Sequence, residues 1–110
     1  MIDSDELRRR IARQMTEDEL LTAILEAAAY LGWMIYHVRR SDLGIVQGTP
    51  GFPDLVLAKG GRTLFLELKS WTGHLTDAQR RWLEAIGDGA QIVTPDRLDS
   101  VLRDLGANLG

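Results

Sequence analysis

Polar and apolar positions change their period several times along the chain, and each change predicts an element. Residues 4–14 alternate charges with Leu7 and Ile11 at helical spacing, which predicts a short amphipathic helix. A second helix starts at Thr16, because "TEDE" fits a capping box with Thr16 as N-cap and Glu19 at N3. It runs through "LLTAILEAAAYLG" to a stop at Gly32, and Leu20, Leu21, Ile24, Ala28 and Leu31 form its inward stripe. "WMIYHVRR" then switches to aromatic and β-branched residues and reads as a strand. "SDLGIVQGTPGFP", broken by glycines and two prolines, predicts an irregular loop of the length that usually carries function.

Two apolar runs around Gly60-Gly61 predict a β-hairpin, with strands near 54–59 and 63–70. Another capping box, Thr76 to Gln79, opens a helix that turns Trp82, Leu83 and Ile86 inward. "AQIVT" is a short apolar strand, and Pro95 suits the first turn of a closing helix over "DRLDSVLRDLG". The predicted order is α-α-β-β-β-α-β-α, an α/β protein. A chain of 110 residues has room for one core, so residues 1–110 read as one domain, with residues 1–15 as an N-terminal helical extension.

Composition narrows the chemistry. With no cysteine, disulfides and thiolate metal sites are excluded. His37 and His74 are too few and too far apart for a conventional zinc cluster. "MIDSDELRRR" lacks the apolar stretch of a signal peptide, and no apolar run approaches the ~18 residues of a membrane span. The expectation is a cytoplasmic protein with no membrane partner. A net charge of −3 does not advertise a nucleic-acid binder, despite basic clusters at Arg8-Arg9-Arg10 with Arg13, Arg39-Arg40 and Arg80-Arg81. Such clusters are more often solvated faces.

The hairpin holds three charges where a core strand would carry Ile or Val: Asp54, Glu67 and Lys69. A two-residue turn at Gly60-Gly61 sets Lys59 against Arg62, and stepping outward sets Asp54 against Glu67. Opposed residues share a face with Cβ atoms roughly 4.5–5.5 Å apart, and Lys69 shares that face by the strand period. Two opposed carboxylates repel unless neutralised, and a hard divalent cation such as Mg²⁺ does this well. A lysine beside it can orient a water or stabilise charge developing on a phosphate. These parts suit phosphodiester hydrolysis. The alternative, a surface face on which Lys69 merely pairs with one carboxylate, stays open on these three residues.

Glu17 lies at the start of the second helix, on the stripe of Leu21, Ile24, Ala28 and Leu31. Glu19 and Glu26 lie about 200° and 180° away around the helix. A carboxylate prolonging a buried stripe could reach the sheet as a further ligand. Placement of an acid in a first helical turn is the plainer reading.

Together these residues resemble the PD-(D/E)xK nuclease motif, with Pro53-Asp54 and Glu67-Leu68-Lys69 as its halves. The longer pattern is similar to the VRR-NUC family, the virus-type replication-repair nuclease domain. Its parts here are Glu17 in an early helix, Gly51-Phe52-Pro53-Asp54, Glu67-Leu68-Lys69, and Gln79 followed by Trp82, spanning Thr16 to about Thr94. One departure is Leu21, where the family often carries Gln.

The resemblance implies a restriction-endonuclease-like core, a small mixed β-sheet flanked by helices. It also implies Mg²⁺ or Mn²⁺ dependence and cutting of branched or structured DNA, in the manner of Holliday junction resolvases. A homodimer and a bacterial or phage-infected cell would follow. By the same resemblance Asp54, Glu67, the Leu68 backbone carbonyl and Glu17 would hold the metal. Lys69 would orient the attacking water for in-line displacement, and Gln79 would support the site.

Arg39, Arg40, Lys59 and Arg62 flank the loop and hairpin and are candidate phosphate contacts. His37 is expected partly buried on its strand, and His74 incidental in a loop. Trp71 and Trp82 are expected to pack under the hairpin, although Trp71 could stack on an unpaired base. Two other functions compete with the nuclease. One is a DNA-binding or accessory module, without cleavage, of a larger replication or packaging complex. The other is a domain whose hairpin charges are structural salt bridges.

Overall fold

In the computed structural model, residues 1–38 and 48–109 are described. Thr16 and Thr76 each close a complete capping box, so the two central helices begin where their side chains dictate. The elements run α1 (Ser4–Gln14), α2 (Glu17–Tyr30), β1 (Met34–His37), β2 (Leu55–Lys59), β3 (Arg62–Leu68), α3 (Asp77–Ile86), β4 (Ala90–Val93) and α4 (Leu98–Asp104). A 3-10 turn, Pro95–Arg97, precedes α4, so the expected closing helix starts as a tighter turn under Pro95.

The strands form one sheet in the order β1-β2-β3-β4. β1, β2 and β3 pair antiparallel, whereas β3 and β4 pair parallel. Parallel neighbours need a crossover, and α3 supplies it. Gly60 and Gly61 have φ of 57° and 83°, the left-handed pair that a type I′ hairpin turn requires. Lys59 faces Arg62 and Leu55 faces Leu66, the register expected from the two-residue turn.

The pleat sorts the hairpin into two faces. Leu55, Leu57, Leu64, Leu66 and Leu68 join Leu20, Ile24 and Ala28 of α2 and Val101 and Leu105 of the chain's end in the core. Trp33 closes that core and donates its indole N–H to the Leu105 carbonyl at 2.9 Å. Phe65 and Glu67 alternate to the opposite face. There Phe52 packs edge-on against Phe65 and Trp82, at 6.0 and 5.0 Å between ring centres.

Three expectations need correction. Leu7 and Ile11 are exposed, and Ala12 is the buried residue of α1. α1 packs against the Pro95–Arg97 turn, where a small side chain permits close approach. His37 and all of β1 are exposed, because β1 is an edge strand. Trp71 is exposed instead of packed under the hairpin, while Trp82 is half-buried as expected.

Candidate active site

Asp54 immediately precedes β2, whose ladder with β3 ends at the Leu55–Leu66 pair. Its carbonyl accepts the Val38 N–H at 2.8 Å, tying it to the end of β1. Its carboxylate accepts the Leu68 N–H, also at 2.8 Å, across the hairpin. Before it, Pro53 is fully buried and Gly51 lies hard against the start of α3. A Cβ on Gly51 would stand 2.5 Å from the Ala78 carbonyl carbon and 2.8 Å from the Gln79 nitrogen, and φ there is 99°. Only glycine meets both demands.

Gln79 is buried at that contact. Its side-chain oxygen accepts the Thr76 N–H at 2.9 Å, and its own N–H donates to the Thr76 hydroxyl at 3.1 Å. The cap therefore also fixes the surface on which Gly51-Phe52-Pro53-Asp54 rests.

Glu67 is 1% exposed and Lys69 8%. The Lys69 ammonium lies 3.6 Å from a Glu67 carboxylate oxygen. Charges this deep are tolerated when paired, because desolvation alone costs several kcal/mol per ion. The Lys69 N–H donates to the Val93 carbonyl at 3.0 Å, so β4 holds the lysine's backbone.

A cavity of about 300 Å³ opens beside Asp54. Glu17, Asp18 and Leu21 of α2 contribute one part of its wall, and His37, Val38, Asp54 and Leu68 the remainder. Glu17 borders the cavity from an exposed position at the start of α2. Among the described residues, Glu67 and Lys69 are not part of that wall. Nor do the described residues contain three or more His, Cys, Asp or Glu side chains grouped to hold a metal. The side-chain donors lining the cavity are the carboxylates of Glu17, Asp18 and Asp54 and the His37 imidazole, and the carboxylate oxygens suit a hard divalent cation.

Asp18 and His37 were not singled out as site residues by sequence. Asp18 adjoins Glu17, which is a usable signal; His37 arrives only through the pairing of β1 with β2.

Other candidates sit elsewhere. The Lys59 ammonium donates to the Leu31 carbonyl at 2.6 Å. Arg62 pairs with the Asp104 carboxylate at 3.1 Å and lies over the Trp33 ring at 5.7 Å. Both cap the Gly-Gly end of the hairpin, about 17 Å of strand from Asp54. Arg39 and Arg40 lie outside the described residues.

The family model of the VRR-NUC domain matches residues 4–92. The chain belongs to the VRR-NUC domain family. The match covers α1 through most of β4, and with them every element that carries a candidate site residue. A VRR-NUC domain is a nuclease-type domain, with DNA as its substrate class. The four-stranded mixed sheet flanked by helices is compatible with the restriction-endonuclease-like fold of that family. No curated protein and no solved structure matches the chain. Among the described residues, no helix is long and apolar enough to cross a membrane.

Proposed function

We propose that residues 1–110 form one nuclease domain that hydrolyses DNA phosphodiester bonds with Mg²⁺ or Mn²⁺. The substrate would be branched or structured DNA, in phage or bacterial replication and repair. The observation that carries this reading is the hairpin itself. It ties the Asp54 carboxylate to the Leu68 N–H at 2.8 Å and holds a buried Lys69 3.6 Å from Glu67, in a chain of the VRR-NUC family.

Asp54, Glu67, the Leu68 carbonyl and Glu17 would hold the cation. When bound, the cation supplies charge neutralisation at the scissile phosphate and lowers the pKa of a water. Lys69, held at its backbone by β4 and at its ammonium by Glu67, would orient the attacking water and meet charge developing on the phosphate. Gly51 and Gln79 would keep Asp54 in place by fixing its loop against α3. A homodimer fits paired nicks in a branched substrate, since symmetric cuts need two sites.

A second reading is a DNA-binding accessory module without cleavage. It is favoured by the absence, among the described residues, of a converged group of three ligands. Supercoiled, flap, splayed and four-way DNA incubated with Mg²⁺, Mn²⁺ or EDTA separates the two. Metal-dependent cutting that disappears in Lys69→Ala, with folding intact, upholds the nuclease; DNA bound but never cut upholds the module.

A further inference from the structure

Two of the three tryptophans are absorbed by the fold. Trp33 donates its indole N–H to the Leu105 carbonyl, and Trp82 donates to the Thr49 carbonyl at 3.1 Å while packing on Phe52. Trp71 is 41% exposed. It lies two residues beyond Lys69, in a turn closed by the Gly73 N–H on the Ser70 carbonyl at 3.0 Å. That turn folds back on the lysine: a Cβ on Gly73 would stand 3.3 Å from the Lys69 Cδ. The Arg13 guanidinium lies over the Trp71 ring, 5.5 Å from its centre. Arg13 in turn precedes Glu17 by one short link, Gln14-Met15-Thr16. The indole therefore joins the two chain segments that carry Lys69 and Glu17.

A single exposed aromatic is ordinary on a protein surface. An indole braced by a guanidinium beside a candidate phosphodiester site has a more specific use. Nucleobases stack on aromatic rings, arginine adds a cation–π contribution, and its charge suits the adjoining phosphate. A base inside a duplex has no free face to offer, so such a platform selects an unpaired or extruded nucleotide. We propose that Trp71 and Arg13 form a stacking subsite for one unpaired nucleobase next to the phosphate presented to Lys69. This rests on the nuclease reading and narrows its substrate to DNA with an unpaired nucleotide beside the cut. The competing role is mechanical, with Trp71 merely pinning α1 to the domain.

The test is equilibrium binding in EDTA of labelled flap DNA and of fully paired duplex DNA. Trp71→Ala is expected to weaken flap binding about 5- to 150-fold, the range of one lost stack, and to leave duplex binding unchanged. Trp71→Phe should restore most of the affinity, and an abasic site at one flap position should reproduce the loss in the wild type. As a measurement that does not need the alanine variant to fold, flap DNA should quench tryptophan fluorescence in the wild type and not in Trp71→Phe. Equal weakening of flap and duplex, no weakening, or equal quenching in wild type and Trp71→Phe overturns the subsite. Those results leave the nuclease reading standing if the wild type still cuts flap DNA with Mg²⁺. A wild type that neither binds nor cuts any of these DNAs overturns both.

Discussion

The Asp54 carboxylate accepts the Leu68 backbone N–H at 2.8 Å, so the hairpin is tied at the end away from its turn by a side chain that also borders the cavity. One carboxylate thereby has a structural and a chemical task, and substitutions should separate them.

Asp54→Asn keeps an oxygen acceptor for Leu68 and removes the charge, whereas Asp54→Ala removes both. Urea denaturation should show Asn within about 1 kcal/mol of wild type and Ala losing about 1.5–3 kcal/mol, the range of a hydrogen bond to a charged group. Mg²⁺ at ~100 times its dissociation constant should stabilise the wild type by about 2.7 kcal/mol. Neither variant should respond to Mg²⁺ in melting or cleavage. Asp54→Asn with an unchanged Mg²⁺ response would remove Asp54 from the metal site.

Lys69→Met retains the aliphatic stem against Gly73 and takes the ammonium from a carboxylate that is 1% exposed. Breaking a buried pair from one side typically costs about 3–5 kcal/mol. Adding Glu67→Gln should recover part of that loss, since no buried charge then remains at the pair. Cleavage should stay lost in the single and double variants. Recovery of cutting together with stability would mean that Lys69 has only a structural role.

Gly51→Ala should be disproportionately harmful for one methyl group. The new Cβ meets the Ala78 backbone at 2.5 Å and φ is 99°, so the loop or α3 must move. The backbone strain alone is worth roughly 1–3 kcal/mol. Displacing Asp54 by about 1 Å should lower cleavage on the order of 100-fold. Thermal melting and single-turnover cleavage would measure the two losses; a near-neutral result in both contradicts the close approach.

Acid should loosen the start of α2. The Thr16 backbone N–H, and then its hydroxyl, hold the Glu19 carboxyl below its ordinary pKa. A depressed folded-state pKa contributes stability above the unfolded value, and that contribution is lost as pH falls through the folded one. Glu19→Gln should therefore flatten the acid side of the stability profile, measured by urea titration across pH. An unchanged acid side would show that the cap does not contribute there.

Much of this was legible locally. Thr16 with Glu19, and Thr76 with Gln79, mark helix starts within four residues, and both caps form in full. Gly60-Gly61 sets the hairpin register from within, so the pairs from Lys59–Arg62 to Leu55–Leu66 followed from counting. The phosphate-contact expectation for Lys59 and Arg62 came from the same hairpin. Their engagement by Leu31 and Asp104 depends on where α2 and α4 end in space.

What the chain order could not say concerns partners far apart in sequence. Ala12 is the buried residue of α1, which packs against the Pro95–Arg97 turn, while Leu7 and Ile11 stay exposed. His37 reached the cavity because β1 pairs with β2 across a long connection that imposes no register. Caps and tight turns are short-range and satisfy hydrogen bonds within a few residues, so composition and spacing encode them. Docking of α1, pairing of the edge strand and the walls of the cavity depend on surfaces that exist only once the layers have packed. That is why the three charges were readable in advance, while Asp18, His37 and the Arg13–Trp71 contact needed the folded chain.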